Sequence, residues 1–308
     1  MAQVTKAAEN IYQIKVASED ASAFYGPASY FTGWFLPGPS ATLIEPGPTS
    51  AARVMLEEIE KLGHDPKEIE IIIATHVHVD HAGGMGWLAQ ELPRARLIVH
   101  EKGARHLLDP SRLIASTAQV FGEEWEEIFG PILPVPQERL SVVKDGEAIN
   151  LAGRTHRILY TPGHAPHHAS FYDPSTGILY GGEAVGMPLP GTEVMSPHAA
   201  PPFYDMEAAL NSLEKVDSLK PHTLFYSHYG ASDKEPRGAL EGARESVQKF
   251  GQIIYEAFEA EEGVKQICRR LREYCYGRGE APPEYSDGMM TMAVEGYVAF
   301  FHRKRSQP

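Results

Sequence analysis

The chain has 308 residues, 43% of them hydrophobic and 22% charged, enough apolar material for one sizeable core or a core with an appendage. Its 41 acidic residues against 28 basic ones leave a formal charge of -13, and no basic stretch offsets this before residues 302–305, which argues against nucleic acid as a partner. Cys268 and Cys275 are the only cysteines, too few for a disulfide framework, and no uninterrupted apolar span reaches membrane length, so the expectation is a cytoplasmic protein without a membrane segment.

The opening MAQVTKAAENIYQIKV has no basic region followed by an apolar stretch, so no targeting leader is expected. β-type runs follow at 11–16, 29–36 and 41–45 and predict a meander. Ser50 then precedes a helical pattern with Val54, Met55, Ile59 and Leu62 on one face, closed by Gly63. A strand is expected at 69–75, a short helix from about 85 to 92, and a strand at 96–100. Residues 102–136 break the alternation with a mostly helical stretch, which reads either as a lid or as an ordinary packed connection. A second β-rich block predicts a hairpin over 140–151 turning at Lys144-Asp145-Gly146, a strand from 154 into Pro162-Gly163, and a hairpin over 169–182 turning at Asp173 to Gly177. A helix at 206–219 and a strand at 223–228 close it. Two blocks with the same sheet-then-helix plan predict two sheets packed face to face with helices outside. From about 236 onward only helices are expected, at 237–260, 262–276 and 287–304, with Gly277 to Pro283 between the last two. The predicted organisation is a domain over 1–235 and an α-helical subdomain over 236–308. On one helix Cys268 and Cys275 stand about 10 Å apart along the axis and cannot bridge. The cations at 302–305 suit a helix end.

The chemistry is concentrated in residues 75–84, THVHVDHAGG. His76, His78, Asp80 and His81 form an H-x-H-x-D-H cluster directly after the apolar run Ile71 to Ala74. A buried strand leading into a glycine-punctuated loop holds such ligands rigidly, where imidazole nitrogens and a carboxylate converge on a cation. Further candidates arrive at strand ends in the second block: His164 after Thr161-Pro162-Gly163, Glu183 after Gly181-Gly182, and His228 after Ser227. Each lies where a strand leaves its sheet, so all can reach one edge. The other histidines, His167, His168 and His198 among them, read as hydrogen-bonding groups before ligands, and Tyr204 and Tyr229 as packing residues before catalytic ones.

This pattern resembles the metallo-β-lactamase superfamily of αββα-sandwich hydrolases. H-x-H-x-D-H at 76–81, T-P-G-H at 161–164, G-G-E at 181–183, S-H-Y-G at 227–230 and L-I-E-P-G at 43–47 occur in that family's order and approximate spacing, over about residues 10–235. The resemblance implies an α+β, four-layer αββα sandwich with a C-terminal helical subdomain. By it, His76, His78 and His164 would hold one divalent metal, Asp80, His81 and His228 a second, and Glu183 would bridge both. The ions would be zinc first, with iron or manganese as alternatives. The helical tail is similar in position to that of the glyoxalase II-like, hydroxyacylglutathione hydrolase branch. Two positions depart from the family pattern, since Glu183 and Glu45 stand where aspartate is usual.

The implied activity is hydrolysis of a small thioester, lactone or related carboxylic ester, by hydroxide generated at the metals, with Asp80 as a ligand that also accepts the water's proton. No G-x-S-x-G element suggests a protein nucleophile. The alternative from a different class is a di-iron redox protein acting on dioxygen or nitric oxide, although flavodiiron relatives carry glutamate where this chain has His78. The expected partner is a small-molecule substrate, with no nucleic acid and no membrane. A homodimer through the C-terminal helices is left open.

Overall fold

A computed structural model describes residues 2–17, 30–189, 191–277 and 287–306. The first sheet has seven strands in sequence order: β1 Ala2–Ala8, β2 Ile11–Ala17, β3 Tyr30–Leu36, β4 Thr42–Ile44, β5 Ile71–Ile73, β6 Arg96–His100 and β7 Leu140–Val143. It is antiparallel from β1 to β4 and parallel from β4 to β7. The second sheet contains β8 Ala148–Leu151, β9 Arg154–Tyr160, β10 Ala169–Asp173, β11 Ile178–Gly182, β14 Thr223–Tyr226 and β15 Gly230–Ala231, in the order β15-β14-β11-β10-β9-β8. Two short strands, β12 Met187–Pro188 and β13 Met195–Ser196, pair with each other.

The period-two alternation of side chains sorts these strands into layers. Ile71 and Ile73 of β5 lie in the core between the sheets, beside Trp34, Phe171, Tyr180 and Phe225. Ile72 between them points the other way, into a core shared with helix α1 (Thr49–Lys61) through Ala51, Ala52, Met55 and Ile59. Likewise Phe225 of β14 faces inward, while Leu224 and Tyr226 face helices α7 (Met206–Asp217) and α8 (Pro236–Glu259). Trp34 and Phe225 stack across the two sheets with ring centroids 3.9 Å apart and planes 5° apart. The result is the predicted α+β sandwich, helix on sheet on sheet on helix.

The helical stretch after β6 divides into α4 (Ala104–Leu108), α5 (Ser111–Phe121) and α6 (Trp125–Phe129), preceded by α2 (Val79–Ala82) and α3 (Met85–Glu91) in the ligand-bearing region. Phe129 and Leu113 are buried in the same outer core as α1, and the Ser50 hydroxyl donates to the Ile128 carbonyl. These contacts make it a packed connection.

The expected hairpin over 140–151 does not form. The turn after Val143 is present, but β7 pairs with β6 in the first sheet and β8 with β9 in the second. The segment is the crossing between sheets: a local turn signal reverses the chain without choosing which strand each arm joins. The 169–182 hairpin forms as expected, with Phe171 opposite Tyr180. β1 was not expected, because AQVTKAA has one large apolar residue and forms an outer strand with no buried residue. Residue 29 and residues 278–283, which fall in an expected strand and linker, lie outside the described residues.

Three C-terminal helices, α8, α9 (Val264–Tyr276) and α10 (Asp287–Ser306), share a core of Phe250, Ile254, Ile267, Leu271, Met290 and Tyr297. α8 also belongs to the outer core of the second sheet through Leu240, Ala243 and Val247. Cys268 and Cys275 are free and buried. At the end of α10, Arg303 donates to the Pro202 and Tyr204 carbonyls and Lys304 pairs with Glu207 at 2.6 Å. Those cations tie the helix to the loop before α7 and to the first turn of α7. Among the described residues no helix is long and apolar enough to cross a membrane.

Candidate metal centre

β4, β5, β9, β11 and β14 all end at one edge of the sandwich, and each delivers a polar residue within a few positions of its end: Glu45, His76, His164, Glu183 and His228. The H-x-H-x-D-H segment runs from the end of β5 into α2. Backbone hydrogen bonds between the layers fix the edge, with Ala169 N donating to Thr75 O at 2.8 Å and Thr32 N to Ser227 O at 3.1 Å.

All seven residues singled out from the sequence converge here. His76, His78, His164 and Glu183 form one group, and Asp80, His81, His228 and Glu183 a second. Glu183 is common to both, and its two oxygens divide between them. Oε2 lies 2.6 Å from His164 Nε2 and 3.6 Å from His76 Nε2, whereas Oε1 lies 3.0 Å from His228 Nε2 and 3.7 Å from His81 Nε2. Asp80 Oδ2 sits 3.5 Å from His81 Nε2 and 3.6 Å from His228 Nε2.

The surrounding hydrogen bonds decide which ring nitrogen faces inward. His164 donates Nδ1–H to the His198 carbonyl at 2.7 Å, His228 donates to the Tyr30 carbonyl at 3.2 Å, and His81 donates to Glu45 Oε2 at 2.5 Å. Each turns Nε2 toward the site, as an imidazole tied down from behind does in metal centres. His78 is the exception, presenting Nδ1 at 3.0 Å from His76 Nε2 and 2.9 Å from His164 Nε2. Glu45 is the hub of this outer layer. Besides His81 it accepts from Thr75 N at 2.6 Å and from the Ser227 hydroxyl at 2.8 Å.

Sequence reasoning undervalued three groups. His168 accepts the Glu183 N–H at 3.1 Å and contacts the Thr161 hydroxyl at 2.8 Å, so it holds the backbone of Glu183. Gly182 makes this approach workable, because its φ of +60° is in the left-handed region and a Cβ there would lie 2.4 Å from His168 Nε2. His198, from the loop after β13, brings Nδ1 to 3.0 Å from Glu183 Oε1. Thr75, Thr161 and Ser227 each adjoin or closely precede a ligand candidate, which was the available signal. Tyr204 packs into the C-terminal core instead, its hydroxyl donating to that of Tyr297 at 3.0 Å.

The electrostatics suit cation binding. Burial holds the His76 imidazole well below its ordinary pKa, helped by its cationic-capable neighbours His81 and His78. Burial, then the adjoining His164, pushes His78 down to about 3. Both are therefore neutral and able to ligate at pH 7. Burial disfavours the charged form of Glu183, yet His164 and His198 outweigh it and hold the carboxyl well below the usual range. For Asp80 burial is likewise overcome by His81 and His228. Burial opposes protonation of His81, but Asp80 and Glu45 hold its pKa well above the ordinary value.

A divalent ion fits this donor set. Three imidazole nitrogens stand 2.9 to 3.2 Å apart, close to the roughly 3.3 Å separation of ligands around a tetrahedral ion with bonds of about 2.0–2.1 Å. Lone pairs so arranged repel unless a cation lies between them. His81 Nε2 is buried and has no hydrogen-bond partner, a cost that coordination removes.

The family model of the metallo-beta-lactamase superfamily matches residues 33–228. The chain belongs to the metallo-beta-lactamase superfamily. Among relatives in this superfamily, the metallo-beta-lactamase fold-containing protein ST1585 of Sulfurisphaera tokodaii is 28% identical over 166 residues, 53% of this chain and 61% of that protein. A hydroxyacylglutathione hydrolase of Synechococcus sp. is 27% identical over 146 residues, 47% of this chain and 44% of that enzyme. The chain thus spans less than two thirds of either relative. A metallo-beta-lactamase family protein of Thermus thermophilus, TTHA1429, has the same fold over 98% of this chain and 96% of its own, with a TM-score of 0.71 and 20% identity. The C-terminal helices are included in that likeness of fold.

Proposed function

We propose that this chain is a dinuclear metal-dependent hydrolase of small thioesters, lactones or related carboxylic esters. The observation that carries the reading is the division of Glu183, with Oε2 directed to one triad of candidate ligands and Oε1 to the other. His76, His78 and His164 would hold one ion, Asp80, His81 and His228 the second, and Glu183 both. Two ions bound there supply Lewis acidity, toward a carbonyl oxygen and toward water, near neutral pH. Asp80 stays ionised, held so by His81 and His228 against burial, and its carboxylate would take the proton from water. Glu45 keeps the His81 ring in the orientation that offers Nε2 to the site. A hydroxyacylglutathione is a thioester, and the relatives that carry this name support testing thioesters first.

Inductively coupled plasma mass spectrometry, on untagged protein purified without added metal, tests the reading. Near two zinc or manganese ions per chain, with turnover in a thioester and lactone screen, is the expected result. One ion or none under zinc supplementation refutes the dinuclear site. Two irons with an oxo-bridge absorption band would replace hydrolysis with dioxygen or nitric oxide chemistry.

A further inference from the structure

His198 is placed where neither the ligand motifs nor the proposed reaction requires a residue. It lies in the loop between β13 and α7, is buried, and makes two contacts with the centre at once. Its backbone carbonyl accepts from His164 Nδ1 at 2.7 Å, and its ring Nδ1 stands 3.0 Å from Glu183 Oε1. That oxygen is the one directed to the Asp80, His81 and His228 group, and His228 Nε2 lies at the same 3.0 Å from it. The rings of His198 and His228 are nearly parallel, 22° apart with centroids at 5.7 Å, so they approach Oε1 side by side.

The two histidines differ in what they can give. His228 uses Nδ1–H on the Tyr30 carbonyl, which leaves Nε2 as a lone pair for an ion. His198 has its Nδ1 on the carboxylate oxygen itself, so in the neutral ring this nitrogen is the donor. A carboxylate oxygen has room for one ion and one hydrogen bond. The longer glutamate side chain has one more torsion to fix than aspartate, and a donor behind the ligating oxygen fixes it.

We propose that His198 is the positioning residue that allows a glutamate to bridge at position 183, its Nδ1–H holding Oε1 toward the second ion. This rests on the reading that Glu183 bridges two ions. The loop is braced for the task from three sides. Asp205 N donates to Gly163 O at 2.8 Å, beside His164. Ala199 packs directly on Gly296 of α10, where a Cβ would fall 2.1 Å from the Ala199 carbonyl oxygen. Tyr204, through Tyr297, connects to the Val247 carbonyl of α8. An aspartate at 183 would withdraw the acceptor by about one carbon–carbon bond, ~1.5 Å, beyond hydrogen-bond reach of a ring held in this way.

A double-mutant cycle between the two positions tests the assignment. Full-length wild type, His198→Ala, Glu183→Asp and the double variant are stripped with chelator. Stoichiometry and the dissociation constant of the weaker ion are read by zinc competition with a chromophoric chelator, and site symmetry by the visible bands after cobalt(II) loading. His198→Ala is expected to weaken the second ion about 10- to 100-fold, the usual loss for a partner behind a ligand, and to weaken it less than about 3-fold when position 183 is aspartate. His198→Asn, whose amide NH2 can stand where Nδ1–H stood, is expected to restore most of the affinity in the glutamate background. Equal losses in both backgrounds, no loss in either, or failure of asparagine to do better than alanine overturns the proposal. Loss of a full metal equivalent in both His198→Ala and His198→Asn also overturns it, making His198 a ligand. Should His198→Ala not fold, by circular dichroism, His198→Leu replaces it in the cycle. Wild type that takes up fewer than two ions defeats the dinuclear reading and this proposal together, whereas two ions without coupling defeats this proposal alone.

Discussion

At the scale of single residues, the site separates side chains that face its interior from those that hold them in place. Replacing His164 removes a lone pair from the first group and leaves a hole beside Glu183. His164→Ala is therefore expected to lose one metal equivalent and to lower kcat/KM by more than the ~10- to 100-fold typical of an outer partner. Retention of both ions and undiminished turnover would remove His164 from the site. Glu45 acts one layer out. It accepts from Thr75, His81 and Ser227 with two oxygens, and a glutamine has one oxygen for those three donors. Glu45→Gln is expected to weaken zinc about 10- to 100-fold in isothermal titration of the stripped protein; unchanged affinity would reduce Glu45 to loop support. The glutamate at this position was legible as a motif member that either supports the ligands or the loop or is plainly structural, but its partners were not. Three partners from residues 30 to 182 positions away in sequence define it.

At the scale of elements, short strands ending at one edge do the positioning, and the helices decide how firmly that edge is backed. β5 is three residues long, yet it is fully buried and paired on both sides, by β4 and β6. Its alternation feeds both cores, so the ligand segment that follows it starts from a rigid platform. α10 contributes from the other end of the chain through Gly296. Gly296→Ala improves helix propensity by ~1 kcal/mol, but the methyl group meets the Ala199 carbonyl, and overpacking costs about 1–3 kcal/mol. The expected net result is a lower midpoint in urea denaturation; a stabilised variant would show that α10 does not press on this loop. The crossing at 140–151 belongs to this scale too. Its turn residues and alternating apolar positions were read correctly, and its pairing was not, because Val143 and Leu151 meet the same inter-sheet core from opposite sheets.

At the scale of the whole molecule, histidine burial couples stability to pH. Eight histidines, His76, His78, His100, His106, His156, His167, His168 and His198, are held below the ordinary value, in each case with burial as the leading cause. His81 and His228 are shifted upward and act in the opposite sense. A lowered group is neutral in the folded state while the unfolded chain takes up its proton, so its contribution is complete above about pH 6.5 and is lost as pH falls through the folded value. His78, for example, loses its share between about 6.5 and about 3. The metal-free protein should therefore show a Tm that falls as pH is lowered from 7.5 to about 5, by differential scanning calorimetry. A flat or rising Tm would contradict the neutral, buried state of these rings. Added zinc is expected to raise Tm at pH 7.5, because an ion that binds only the folded state stabilises it. The sequence by itself determined the layered α+β plan and picked out the seven residues that converge at one edge, because apolar periodicity and strand-end motifs are local and survive without a fold. Only the tertiary structure decided that β7 and β8 part into different sheets, that the oxygens of Glu183 divide between two groups, that His168 and His198 contact Glu183, and which three donors Glu45 serves. Those facts depend on hydrogen bonds and packing between distant segments, and no pattern along the chain encodes which distant donor meets which acceptor.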